Sequence, residues 1–257
     1  MINGYTAEQV RAAEAPLLAA GVPLMARAAA GLAREIRTLL PDAGSTVLVL
    51  AGSGDNGGDA LFAAAEMAAD GSDVAIIATG SRIHEPALAA ALAAGAHVED
   101  PADAVRLAAG VDVIVDGILG TGTSPNPALR GGARDVVQAI LPVLGAPRHP
   151  LVVAVDIPSG INPNPPDAAE VAAGAAADPE SAAILPADVT VTFGGYKAGL
   201  LIPPASEFAG RVVLIDIGLG PELAKLEPVI RMPDAPTREG HTGKSRTSVE
   251  LRRVLDA

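Results

Sequence analysis

The sequence predicts an α/β domain with a mostly parallel central sheet, on three observations. Short runs of Val, Ile and Leu at 47–50, 74–77, 111–115, 151–155, 189–193 and 212–215 alternate with alanine-rich helical stretches, the order of repeated βαβ units. The runs are continuously apolar rather than alternating, as strands covered on both faces are. Four of the six lead directly into a glycine-rich or polar motif. In a parallel sheet the C-terminal strand ends share one edge, and ligands of open α/β sheets bind there.

The bulk properties fit this class. A chain of 257 residues suits one large α/β domain. Hydrophobic residues make up 49% and aromatics 2%, so the core is built from Ala, Val, Leu and Ile. The net charge of −12 opposes nucleic acid and anionic membranes, and neither is an expected partner. An anionic small ligand remains compatible, because local backbone dipoles outweigh net charge at short range. The absence of cysteine excludes disulfides, thiol catalysis and Cys-ligated zinc, and fits a reducing cytoplasm. Mean hydropathy is +0.36, which the many alanines explain. No apolar run approaches the ~20 residues of a membrane span. The segment "MINGYTAEQVRAAEAP" lacks the basic-then-apolar order of a secretion signal, so a cytoplasmic location is expected.

Along the chain, Thr6 and Gln9 form a capping-box pattern ahead of "VRAAEAPLLAA". A second helix is predicted over 23–40, opening on Pro23, whose missing N–H is harmless there. "PDAGS" ends it, and the first long strand follows. Helices are predicted near 57–70, 85–94, 101–109 and 132–144. Residues 162–186 are rich in proline and alanine and read as a long surface loop. The domain is expected to fill residues 1–232. Residues 233–257 are expected to form a polar, poorly ordered tail with a helix near its end. No internal repeat is present.

The motifs at the strand ends carry the functional signal. "AGSGDNGGDA" places four glycines, two aspartates and an asparagine within a few positions after strand 47–50. Glycines at such a turn let backbone N–H groups approach phosphate oxygens at the next helix N-terminus. The stretch is not a P-loop, since no Gly-Lys-Ser/Thr follows, and it lacks the G-x-G-x-x-G order. Gly120, Thr121 and Gly122, with Thr123 and Ser124, offer hydroxyls and exposed amides, a good anion nest. Asp116 and Asp156 each stand just beyond an apolar strand. With Asn56 and Ser159 they make an all-oxygen set, the kind hard cations prefer. Lys197, flanked by glycines, suits pairing with an anion. His84, His97, His149 and His241 fall outside the motifs.

At these residues the sequence resembles the YjeF N-terminal domain family, the NAD(P)H-hydrate epimerases. That family's pattern is "TAxQMRxxE", "LM…AG", "GxGNNGGDG", "DAxxGTG", "DIPSG" and "TVTFxxxKxG". The corresponding stretches here are "TAEQVRAAE", "LMARAA", "GSGDNGGDA", "DGILGTG", "DIPSG" and "TVTFGGYKAG", in register over about residues 5 to 220. The resemblance implies a three-layer α/β/α Rossmann-like domain, a homodimer and a bound potassium ion (K+). It implies epimerisation of the C6 hydroxyl of hydrated NADH and NADPH (NADHX and NADPHX), which lets a partner NAD(P)H-hydrate dehydratase complete the repair.

Residue by residue, Asn56, Asp116 and Ser159 match the potassium ligands. Asp55, Asn56, Gly57, Gly58 and Asp59, then Gly120, Thr121, Gly122, Thr123, Ser124, Pro125 and Asn126, and Asp156, match the substrate-binding segments. Asp156 is the expected acid–base group, with Lys197 beside it. The glycines of the first motif are expected to wrap around the pyrophosphate. Asp55, Ala60 and Ala29 depart from the pattern, replacing Asn, Gly and Gly. Two other readings stand beside the epimerase. A non-catalytic nucleotide-binding scaffold is disfavoured by the joint presence of Asn56, Asp116, Asp156 and Ser159. A nicotinamide-dependent dehydrogenase is disfavoured by the missing G-x-G-x-x-G.

Overall fold

The computed structural model describes residues 1–40, 44–122, 127–165 and 183–233, together with the strand 249–253. The chain opens with a strand, β1 (Ile2–Tyr5), then helices α1 (Ala7–Ala19) and α2 (Leu24–Arg37). Next come β2 (Thr46–Ala51), α3 (Asp55–Ala69), β3 (Asp73–Ala78), α4 (Glu85–Ala93) and β4 (His97–Val98). The second half runs α5 (Ala104–Ala108), β5 (Val113–Gly117), α6 (Gly131–Leu144), β6 (Leu151–Val155), β7 (Val189–Phe193) and β8 (Tyr196–Lys197). It ends with β9 (Arg211–Asp216), β10 (Ile230–Met232) and β11 (Val249–Arg253).

The main sheet has the order β11-β9-β7-β6-β5-β2-β3-β4, and every pairing in it is parallel. Alternate residues of the central strands feed opposite layers, which is why the strands read as unbroken apolar runs. Val47, Val49, Val113, Val115, Val153 and Val155 pack with α1 to α4 on one side. Leu48, Leu50, Ile114, Val152 and Ala154 pack with α5 and α6 on the other. The domain is therefore a three-layer α/β/α fold. The chain winds outward through β3 and β4 in one direction and through β5, β6, β7 and β9 in the other. The order reverses between β2 and β5, the place where such sheets leave a crevice.

The expected elements are present with shifted ends. The capping box forms as predicted, with Thr6 and Gln9 satisfying each other's backbone N–H. Helix α3 starts two residues early, at Asp55, so most of the glycine-rich motif is the first turn of a helix rather than a loop. The predicted helix over 101–109 is a 3₁₀ turn, Pro101–Asp103, followed by the short α5.

Two features were not predicted. Strand β1 joins a small second sheet, antiparallel to β10 and parallel to β8. In addition, Val249–Arg253 pairs in parallel with β9 as the outermost strand of the main sheet. A helix was expected there, yet "VELRR" alternates apolar and polar residues at first, which is a strand period. That part of the expected tail belongs to the sheet. Residues 234–248 and 254–257 lie outside the described residues.

Candidate functional site

The polar motifs gather at the C-terminal edge of the sheet, on both sides of the β2–β5 crevice. Asp116, the fourth residue of β5, is fully buried. Its Oδ1 accepts hydrogen bonds from the Ser159 hydroxyl (2.6 Å) and the Ile118 N–H (3.3 Å), and its Oδ2 accepts one from the Ser159 N–H (2.8 Å). Burial pushes the Asp116 carboxyl up, and the Ser159 and Ile118 bonds oppose that shift. The Leu119 N–H donates to Ser159 Oγ (2.8 Å), and Asn56 Nδ2 donates to the Leu119 carbonyl (2.9 Å). Asn56, Asp116 and Ser159 therefore meet around one residue, Leu119.

This donor set fits a monovalent cation. It offers an amide, a hydroxyl and backbone carbonyls, with a single carboxylate, too little charge for most divalent ions. Among the described residues no group of three or more His, Cys, Asp or Glu side chains is placed to hold a metal. Gly120 keeps the space open, since a Cβ there would stand 2.9 Å from Asn56 Oδ1.

The second cluster centres on Lys197. Its ammonium is buried, with 1% of the residue exposed. It donates to Asp156 Oδ1, to Thr192 Oγ1 (3.1 Å) and to the Phe193 carbonyl (2.9 Å). Thr192 Oγ1 also donates to Asp156 Oδ1 (3.0 Å). Asp156 has φ +64°, the left-handed region that aspartate tolerates better than most residues. That backbone turns its carboxyl toward β7 and β8. Lys197 is set by the small sheet, where Tyr5 pairs with Lys197 and Gly4 with Tyr196.

Several residues complete the cluster. Asp59 on α3 is buried, and among the described residues its Oδ1 finds no hydrogen-bond partner. Burial first, then the negative charges of Asp156, Asp55 and Glu14, push the Asp59 carboxyl well up, against a smaller pull from Lys197. The half-buried Glu14 on α1 is raised for the same first reason, desolvation, and Lys197 opposes this. Arg11, one turn earlier on α1, donates to the Thr121 carbonyl (2.6 Å). Sequence reasoning gave Arg11, Glu14 and Thr192 no site role. Their signal was present in "TAEQVRAAE", where Arg11 and Glu14 stand three apart on one helical face, and in "TVTF".

Two glycines of the first motif are required by the packing of the protein itself. A Cβ on Gly52 would stand 1.8 Å from the Ile118 carbonyl oxygen, and one on Gly57 would stand 2.1 Å from the Gly52 oxygen. Both positions need glycine because protein backbone, rather than ligand, approaches them. Only Gly54 of the four faces open space. Asp55, the departure from the family's asparagine, is exposed at the start of α3, where the helix dipole favours a carboxylate. Gly120 sits beside Asn56, and the Thr121 carbonyl beside Arg11. Thr123, Ser124, Pro125 and Asn126 lie outside the described residues.

Comparison with known proteins places the chain in a family. Residues 21–199 match the family described as YjeF-related protein N-terminus. The chain is 51% identical over 235 residues to an NAD(P)H-hydrate epimerase of Clavibacter michiganensis subsp. michiganensis, covering 89% of this chain and 95% of that protein. It is 46% identical to the protein of that name from Microbacterium testaceum, over 89% and 84% of the two chains. It is 42% identical to the bifunctional NAD(P)H-hydrate repair enzyme Nnr of Mycobacterium tuberculosis, covering 85% of this chain and 42% of that one. Among solved structures, yeast ynu0 aligns with a TM-score of 0.61 over 90% of this chain and 97% of its own, at 18% identity, a likeness of fold.

Proposed function

The chain belongs to the YjeF N-terminal family, and from that premise we propose that it is an NAD(P)H-hydrate epimerase, an isomerase that inverts C6 of NADHX and NADPHX. The observation that carries the reading is the Asp156–Lys197 pair, buried at the same sheet edge as the Asn56–Asp116–Ser159 set. C6 of the hydrate bears both a hydroxyl and the ring nitrogen. Inverting it means breaking one bond to C6 and remaking it on the other face. That needs a proton moved at a heteroatom, and a fixed carboxyl group does this.

Asp156 is the acid–base group of this reading. Lys197 and Thr192 hold its Oδ1 and leave Oδ2 to the substrate. Asp116 is less suited, since both its oxygens are engaged by Ser159. Asn56, Asp116 and Ser159 would hold K+, which when bound would offset the buried Asp116 charge and fasten the 117–120 loop to the 156–160 turn. The segments Asp55–Asp59 and 120–126 would bind the substrate.

The wider setting belongs to the same proposal. An NAD(P)H-hydrate dehydratase would be the functional partner, in keeping with the bifunctional relatives. The protein would act as a homodimer in the cytoplasm. Among the described residues no single helix is long and apolar enough to cross a membrane. A chiral assay of (R)- to (S)-NADHX conversion with the purified protein tests the reading. An unchanged ratio of epimers would favour the non-catalytic nucleotide-binding scaffold.

A further inference from the structure

Among the described residues, Asp59 Oδ1 is the buried side-chain oxygen that no hydrogen bond satisfies. Such groups are uncommon, and each asks what completes it. Asp59 stands on α3 inside a ring of charged groups. Asp55 shares its helix, Glu14 comes from α1, Asp156 from the end of β6, and Lys197, the one cation of the set, from β8. Arg11 of α1 is turned to the Thr121 carbonyl instead. Lys197 is already bound to Asp156, Thr192 and Phe193, so its donors are spent. The site thus holds two buried carboxyl groups, one tied to an ammonium and one with a free oxygen.

We propose that Asp59 is a second catalytic acid–base group, working with Asp156 on the C6 hydroxyl of the substrate. The proposal rests on the epimerase reading. The Asp59 carboxyl gives its proton to the C6 hydroxyl oxygen. The C6–O bond breaks, the ring nitrogen lone pair forms the C6–N double bond, and water departs. The resulting iminium cation lies in the field of Glu14, Asp55 and Asp156, an arrangement that favours positive charge. Water then adds to the opposite face of C6, the double-bond electrons return to nitrogen, and the released proton goes to Asp156. One water has left and one has entered, and one proton has passed from Asp59 to Asp156. The opposite epimer reacts in the reverse sense, with Asp156 as the acid. Burial first, and then the negative charges around it, push the Asp59 carboxyl well up, the direction that a proton donor needs.

Asp59→Asn tests this, because Asn keeps the shape and a hydrogen-bond donor but has no proton to give. The expected result is an epimerisation rate about 10²–10⁴-fold lower. The wild-type rate should fall as pH rises through the Asp59 titration, and this limb should vanish in the variant. Carbon-13 NMR of aspartate-labelled wild-type protein should show a carboxyl titrating well above the ordinary range that is missing from Asp59→Asn. Near-wild-type epimerisation by Asp59→Asn overturns the proposal, and so does an ordinary titration of Asp59 in the wild type. If the wild type itself leaves the epimer ratio unchanged, the epimerase reading fails and takes the proposal with it. The first two results spare that reading, so the failures are separable.

Discussion

Ala60 and Gly117 are matched across the β2–β5 crevice: a Cβ on Gly117 would stand 2.5 Å from the Cβ of Ala60. The family pattern has glycine at the first position and alanine at the second, so here the methyl group has changed sides. Gly117→Ala alone should overpack the contact and cost about 1–3 kcal/mol. Ala60→Gly alone should cost roughly 0.5–1 kcal/mol by loosening α3. The double variant should recover most of the Gly117→Ala loss. Urea denaturation of the four proteins gives the coupling, and simple additivity would mean the two residues are independent.

The Asp156–Lys197 pair predicts two different losses. Asp156→Asn should lower the epimerisation rate by about 10²–10⁴-fold, with some loss of stability because Asn still accepts from Lys197 but does not match its charge. Lys197→Met should cost about 3–5 kcal/mol of stability, because it leaves a buried carboxylate without its ammonium. Thermal melts alongside the chiral assay separate the two. An unchanged melt for Lys197→Met would mean that Asp156 is solvated when Lys197 is absent.

The raised carboxyl of Asp59 predicts a stability that falls with pH. The native state holds this proton up to a higher pH than the unfolded chain, whose aspartates titrate near ~3.9. Between those two values the native state binds more protons, so stability declines as pH rises through the window and levels off above it. The raised Glu14 acts in the same sense. Asp59→Asn should therefore gain stability over the wild type as pH increases, read as a growing difference in melting temperature. A constant difference across pH would show that Asp59 does not titrate in the folded protein above its unfolded value.

Potassium should stabilise the protein. A ligand at 100 times its Kd contributes about 2.7 kcal/mol. The melting temperature should be higher in KCl than in choline chloride of equal ionic strength, and the gap should close in Asp116→Asn. Equal melts of the wild type in the two salts would remove the potassium site.

Deletion of residues 233–257 should destabilise the domain, since it strips β11 from β9 and leaves an open parallel edge. For a protein of this size each kcal/mol lost lowers the melting temperature by roughly 2–4 °C. A truncated protein that melts with the full chain would show that β11 adds nothing.

The sequence was most legible where one physical rule dominates. Unbroken apolar runs gave the six long strands, and their polar ends gave the edge on which Asn56, Asp116, Asp156, Ser159 and Lys197 gather. The losses have particular causes. β1 is "INGY", four residues with a glycine and an asparagine, a composition that reads as a turn because its pairing partners are remote in sequence. The backbone contacts that require Gly52 and Gly57 were not legible, because sequence shows that a Cβ is missing, not what occupies its place. Asp59 was grouped with its motif. That its oxygen lies buried and unsatisfied depends on α1, β6 and β8, which no local pattern brings together.

The pairing of β1 with β8 also sets an order of assembly. Gly4 is made long before Tyr196, and closing so long a loop is entropically slow. The backbone pairing that fixes Lys197 should therefore form late, after most of the α/β layers have material to pack. A chain stalled before β8 can own much of its fold and still lack the buried Asp156–Lys197 pair. Refolding followed by burial of the core should accordingly run ahead of refolding followed by return of activity.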